Sequence, residues 1–376
     1  MTGVGTSRLR AALRPVAHRL RGLSARRAAA QAARGKGPLA VFLAGMERQE
    51  AALLRVYALA EALRPLGWRT LVLPHDLPLS ERQAILARLS ADVVVMQGVR
   101  IPMNRPDHYP GQRIILDLDD ADFHLDHLAG PLAETVPKVA GVIAGSRYVA
   151  RWCRGAGAVR TWVVWTGATP SARPRTPQAG RPPVMAWAQT RPMDYVAEAA
   201  QVARVARAVA VRRPGVTLRL YHRRTGDDPG FAAGFEASGL TVEWLPEMGY
   251  DDWLGSFDDA ALGFCPLQHR TPFSRGKSFG KVLGYLDRKV PVIASDAADH
   301  GLFFRADTGV ITNDEAAWVD RAVALLDDSA ARQGMADAAH ADFLTRLTTQ
   351  AAAERTAAVL SEAIAQPSLE VARFDG

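Results

Sequence analysis

Residues 272–295 read PFSRGKSFGKVLGYLDRKVPVIAS, a small basic loop that runs into a helical pattern and then into a short apolar run. Phe279, Val282, Leu283 and Leu286 recur at i, i+3, i+4 and i+7, which predicts a helix with one buried face. Lys277, Lys281 and Arg288 fall on the other side. The helix start near Gly276 and Lys277 would present unpaired amides and the positive end of the dipole, with Arg275 and Lys277 adding formal charge; a diphosphate suits such a place. The chain holds only five lysines against 41 arginines, yet three of the five are Lys277, Lys281 and Lys289. Compact ammonium groups beside a glycine-bearing loop favour phosphate contact. The plainer alternative is a solvated surface helix with one apolar and one basic face.

Around this stretch, short apolar runs alternate with helical patterns, as in a parallel sheet covered on both faces. In the second half the expected strands are 184–187, 217–221, 241–245, 261–264, 290–294 and 308–311, with a helix over 196–211. In the first half they are 39–44, 70–73, 93–96, 114–116, 142–144 and 162–165. A first-half helix carries the stripe Leu53, Leu54, Tyr57, Leu59, Ala60 and Leu63 and ends at Gly67. Between the halves, residues 169–183 read TPSARPRTPQAGRPP, where five prolines forbid a helix or a central strand. The organisation expected is a basic segment 1–36, a domain 37–168, a linker 169–183, a domain 184–345, and a helix and tail 346–376 packing back on the first domain. Ligands in such sheets bind outside the carboxyl ends of the strands, so the chemistry is expected in the cleft between the domains.

Composition narrows the classes. With 48% hydrophobic and 23% charged residues over 376 positions, two globular domains are affordable. Every long hydrophobic stretch is broken before the roughly 18 residues a membrane span needs. Cys153 and Cys265 are far apart and without metal-site spacing, so a reducing cytoplasm is expected. Nine positive charges precede Glu47, and because the whole chain carries +7 the remainder sums to −2, which argues against a nucleic-acid groove. Within that basic segment Leu9, Leu13, Val16, Leu20 and Leu23 keep helical spacing. Residues 8–27 could therefore lie on an anionic membrane surface; a solubilising tail and an organelle presequence also fit.

The 272–295 stretch resembles the donor-binding segment of the retaining GT-B glycosyltransferases of the family 4 type, in which a Lys- and Ser-bearing loop and a helix precede a PVIAS-like strand. GLTVEWLPEMGYDDW (239–253), Phe264-Cys265-Pro266, GVIAGSRYVARW (141–152) and VVWTGATP (163–170) are similar to further elements of that family. The resemblance implies an α/β fold of two doubly wound Rossmann-like domains facing each other across a cleft, and transfer of a sugar from a nucleotide diphosphate to a glycan, lipid-linked or small-molecule acceptor. It places Arg191, Ser274, Arg275, Lys277, Ser278 and Lys281 at the donor diphosphate. Tyr221, Pro246, Pro266 and Tyr285 would line the nucleotide pocket, and Gln97, Asp117 and His124 the acceptor side. It implies no metal and no cofactor beyond the nucleotide sugar; with the cysteine usage and the basic segment, a cytoplasmic enzyme that could lie peripherally on the inner face of the membrane is expected. Two departures stand out: the family's paired glutamates, expected near Gly276 and Gly284, are absent, and its first-domain histidine is matched by Gln97.

Asp117, Asp119, Asp120 and Asp122 follow the apolar run 114–116 and would crowd one strand end. Asp119 and Asp120 are the best catalytic candidates. The cluster could bind acceptor hydroxyls, or cap the loop around His124. It could also act as a magnesium-dependent phosphatase through Asp117 and Asp119, since IILDLDD resembles the strand-end motif of the haloacid dehalogenase phosphatases. No GxGxxG opens either domain, which disfavours a dinucleotide oxidoreductase. His75, His222 and His269 are isolated and read as surface residues. A noncatalytic binder of nucleotide sugars or glycans remains the alternative to an enzyme.

Overall fold

A computed structural model describes residues 21–221, 229–268 and 271–365. The chain forms two compact units, the first comprising Met1–Gly145, Val149–Val164 and Ala352–Gly376, the second Ser146–Tyr148 and Trp165–Ala351.

The first unit contains six strands: β1 (Leu39–Leu43), β2 (Arg69–Leu73), β3 (Val93–Gln97), β4 (Ile114–Leu118), β5 (Gly141–Ala144) and β6 (Thr161–Val163). They form one parallel sheet in the order β2-β1-β3-β4-β5-β6. β1, β3, β4 and β5 are buried at every position, which is why their sequences are continuous apolar runs rather than alternating ones. Gly67 adopts φ 88° where the preceding helix turns into β2, a left-handed cap that glycine takes without strain. The C-terminal helix Thr349–Ile364 places Ala352, Ala353, Val359, Leu360 and Ala363 in the same core as Phe42, Val56 and Ile115.

Residues 21–33 are helical, and their buried side is built from Ala25 and Ala29. The Arg26 guanidinium grips Glu81 at 2.6 and 3.0 Å, and Arg69 donates to the carbonyls of Ala32, Ala33 and Gly37 at the helix end. Leu23 faces outward. Residues 8–20 of the expected amphipathic helix lie outside the described residues.

The second unit also holds six strands: β7 (Val184–Trp187), β8 (Val216–Tyr221), β9 (Leu240–Leu245), β10 (Leu262–Cys265), β11 (Val292–Ala294) and β12 (Val310–Ile311). Their order, β12-β11-β10-β7-β8-β9, is again all parallel, and the chain reverses direction across the sheet between β7 and β10. In the first sheet the reversal lies between β1 and β3. The helix Val196–Arg212 covers one face, together with Trp318 from Glu315–Asp327. The Pro-rich segment 169–183 belongs to this unit. Ser171 N and Arg175 bind Asp287, and Gln178 is held by Arg332, Gln333 and the Lys289 carbonyl.

Leu360 is fully buried in the first unit's core. Leu360→Ala is expected to cost about 2–5 kcal/mol, read as a lower urea midpoint for that unit.

Candidate functional site

Each unit has a concavity where its sheet reverses, outside the strands' carboxyl ends. Open α/β sheets bind ligands at such points because the connections diverge there and leave a crevice. In the second unit the crevice is lined by Ala188 and Gln189 after β7, by Cys265 and Pro266 at the end of β10, and by Tyr195, Lys277 and Lys281. The Gly280–Asp287 helix forms its flank, and the Tyr285 hydroxyl fixes that helix to both strands. The hydroxyl accepts from Ala188 N at 2.7 Å and shares its proton between the carbonyls of Ala186 (2.9 Å) and Phe264 (3.3 Å). A Cβ on Gly263 would stand 2.7 Å from the Tyr285 ring, so a glycine there makes room for it.

The two lysines are set differently. Lys281 Nζ donates to Gln189 Oε1 at 3.0 Å. Lys277 Nζ lies 4.5 Å from the Phe273 ring centroid and 5.8 Å from that of Tyr195, aromatic faces that favour a cation. Behind the wall, Cys265 Sγ is 3.9 Å from His300 Nε2, and His300 Nδ1 faces the Ser295 carbonyl at 3.2 Å. Burial pushes the Cys265 thiol up to about 12 and lowers the His300 imidazole, so both are neutral near pH 7.

The remaining expected donor residues are distributed more widely. Ser274 is buried and donates to Glu198 Oε1 at 3.1 Å, the same oxygen that accepts from Gln268 N, so its hydroxyl anchors the loop. Arg275 stacks over Tyr148 at 4.9 Å, and Arg191 is exposed, 3.8 Å from Asp194; neither lines the crevice, and nor does Ser278. Of the expected nucleotide-pocket residues, Pro266 lines it and Tyr285 underlies it. Tyr221 is buried against Ser256 at 2.8 Å, and Pro246 is exposed elsewhere. Arg288 corrects the pattern read from the sequence, because it is fully buried rather than solvated. It binds Asp258 at 2.6 Å and the carbonyls of Arg173 and Pro174. Gln189 and Tyr195 also line the crevice, and because neither is charged the spacing of cations after β7 does not reveal them.

The first unit's crevice is lined by Gly45, Met46, Gln97, Arg100, Asp117, Asp119, Asp120 and Asp122. Gln97 Oε1 accepts from Gly45 N at 3.0 Å and thereby shapes the turn after β1. Arg55 and Arg100 organise the carboxylates. Arg55 makes a buried two-pronged pair with Asp117 (2.5 and 2.9 Å), donates to the Val164 carbonyl and approaches Asp119 Oδ1 at 3.3 Å. Arg100 grips Asp122 with two bonds of 2.7 Å and reaches Asp120 at 3.3 Å. Burial opposes the charge on both guanidiniums, but the surrounding carboxylates outweigh it and hold them above their ordinary value. Asp119 and Asp120 remain partly exposed at the crevice, whereas His124 lies outside its lining. The phosphatase reading fails on Asp117, whose two oxygens are both committed to Arg55 and are not positioned to attack a phosphate. Neither arginine was legible: Arg55 falls within an apolar stretch, on a π-helical turn at Leu53–Ala58, and Arg100 in a loop.

No protein-family profile and no curated protein sequence matches the chain. Solved structures do. Sucrose-phosphate synthase from Thermosynechococcus elongatus is similar at TM-score 0.63 with 13% identity, covering 88% of this chain and 100% of that one. Anabaena HepE, solved in complex with UDP-glucose, gives 0.60 with 16% identity over 86% and 99%. TarM from S. aureus gives 0.59 with 12% identity over 75% of this chain, which spans only 58% of TarM. The fold is GT-B.

The absence of a longer side chain at Gly284 has a structural reason. A Cβ on Gly284 would lie 2.6 Å from the Trp253 ring and 2.8 Å from Phe257, so aromatic side chains already fill the place a longer residue would need. At Gly276 the carbonyl accepts from Ser146 Oγ at 3.3 Å.

Two outcomes follow from this geometry. Arg55→Met would leave the Asp117 charge buried and unpaired, at a cost of about 3–5 kcal/mol, measurable as a lower urea midpoint of the first unit. Because His300 resists protonation when folded and takes a proton at about pH 6.5 when unfolded, stability of the second unit should fall as pH drops below about 6.5. Unfolding at pH 7 and pH 5 checks this, and the loss should be smaller in His300→Gln.

Proposed function

We propose that this GT-B chain is a glycosyltransferase that takes a sugar from a nucleoside-diphosphate donor bound in the second unit's crevice and passes it to a glycan, lipid-linked or small-molecule acceptor. The single observation that carries the reading is the presence of Lys277 and Lys281 together in the lining of a crevice at the β7/β10 reversal, the kind of place where doubly wound sheets bind their ligands. HepE, solved with UDP-glucose, supports the donor class.

The reaction breaks the bond between the sugar and the diphosphate, so negative charge develops on the leaving oxygen. Preorganised cations stabilise that charge more in the transition state than in the substrate. Lys281, held by Gln189, is oriented before the ligand arrives, and the Ala188 amide is held back by Tyr285, which fixes the loop they share. Lysine charge in this reading takes the part a metal plays elsewhere. Asp119 and Asp120, at the first unit's crevice, are the groups offered to acceptor hydroxyls. A binder without turnover is the second reading, favoured by the filled space at Gly284.

Calorimetry with UDP, GDP, ADP and dTDP should find one nucleoside diphosphate that binds, and Lys277→Ala/Lys281→Ala should weaken it at least tenfold. Unchanged affinity would reject the site. Slow hydrolysis of the matching sugar ester, undiminished by EDTA, is expected of the enzyme; tight binding with no hydrolysis and no transfer supports the binder.

Association with an anionic membrane surface through the N-terminal segment belongs to the same proposal. Residues 21–33 are docked on the first unit, so deletion of residues 1–20 is the clean test. It should abolish sedimentation with phosphatidylglycerol vesicles and leave thermal unfolding unchanged.

A further inference from the structure

Glu198 and Gln201 stand three apart on the helix Val196–Arg212, and both are 4% exposed, on a buried side that is otherwise alanine and valine. Polar groups in such surroundings are costly unless bonded, so their partners are the informative part. Glu198 Oε1 accepts from both Gln268 N and Ser274 Oγ at 3.1 Å, and Gln201 Oε1 accepts from Gln268 Nε2 at 3.0 Å. Glu198 lies in the first turn of its helix, where the positive end of the dipole favours a carboxylate. The chain leaving β10 is thereby fixed at Gln268 and again at Ser274. From Ser274 the backbone passes this order on. Its carbonyl accepts from Lys277 N at 3.3 Å, Gly276 N donates to the Phe273 carbonyl at 3.2 Å, and the Phe273 ring centroid lies 4.5 Å from Lys277 Nζ.

We propose that Glu198 is a positioning residue for the crevice, and that it sets Lys277 at the donor diphosphate by holding Ser274. The inference rests on the proposed function. Glu198 does not line the crevice and so meets no ligand there; it acts through the turn that carries the cation. One carboxylate oxygen takes two bonds here, and an alanine would leave the Gln268 amide and the Ser274 hydroxyl to seek other partners in a place mostly closed to water. The turn shifts to find them, and Lys277 shifts with it. A glutamine keeps an acceptor oxygen at the same reach and preserves the arrangement.

Two measurements on the full chain test this, with thermal unfolding to confirm that the variants fold. Hydrogen exchange over residues 271–279 should quicken about tenfold in Glu198→Ala and stay at the wild-type rate in Glu198→Gln. Calorimetry with UDP, GDP, ADP and dTDP identifies the diphosphate that binds the wild type. Its affinity should fall about tenfold in Glu198→Ala, hold in Glu198→Gln, and fall less than about twofold further when Glu198→Ala is added to Lys277→Ala. A general loss of structure would instead remove the same factor in both backgrounds. Ser274→Ala, which removes one of the two bonds, should give the same pattern at smaller size and carries the test where Glu198→Ala does not fold. Unchanged exchange in these variants overturns the anchor. An undiminished loss in the Lys277→Ala background overturns its link to Lys277 and leaves the proposed function standing. If exchange quickens as expected but no diphosphate binds the wild type, the proposed function falls, and the role assigned to Glu198 falls with it.

Discussion

The Tyr285 hydroxyl joins β7 and β10 at the point where the second sheet reverses, and the crevice there takes its form from that join. Parallel strands at a reversal diverge at their carboxyl ends, leaving backbone groups without ladder partners. One phenol satisfies three of these, the Ala188 amide and the carbonyls of Ala186 and Phe264, at distances of 2.7 to 3.3 Å. Gly263 is what admits the ring, and Phe257 meets it edge-on with centroids 5.0 Å apart. The helix that carries Tyr285 also carries Lys281, so the same contact that closes the sheet end sets the height of the cation above it. Packing and polar orientation are therefore one constraint here, not two.

The first unit solves a different problem at the corresponding place. Four aspartates close in sequence would repel one another at a strand end. Arg55 and Arg100 divide them into two groups, each with one deeply buried carboxylate, Asp117 or Asp122, and one nearer the surface, Asp119 or Asp120. The buried members fix the guanidiniums, and the guanidiniums then hold the outer members at the crevice. Two carboxylates are thus used to aim two others.

The strands were legible because strands buried on both faces read as unbroken apolar runs. β7 has its expected bounds; β1, β6, β11 and β12 are shorter than the expected runs, as at Trp162–Trp165 against Thr161–Val163 for β6, whereas β2, β3, β4, β5, β8 and β9 extend a residue or two beyond theirs and β10 is shifted by one. Lys277 and Lys281 also stand out in a chain that otherwise uses arginine, and both line the second unit's crevice. What stayed hidden depended on partners distant in sequence. Arg288 follows the helical spacing of a solvated residue, and only Asp258, thirty positions away, shows it to be buried. Asp117 carries the same local signal as Asp119, and only Arg55, 62 positions earlier, separates an anchoring carboxylate from an accessible one. At Gly284 the deciding neighbours, Trp253 and Phe257, lie about thirty positions away in sequence and leave no local signal.

The Cys265 thiol lies behind the crevice wall, against His300. Thiolate is the form that oxidants and alkylating reagents attack, and a group held up to about 12 supplies almost none of it at neutral pH. The neutral His300 beside it does not draw off its proton. The sulfur therefore backs the crevice as a space-filling apolar atom that oxidants attack slowly at neutral pH.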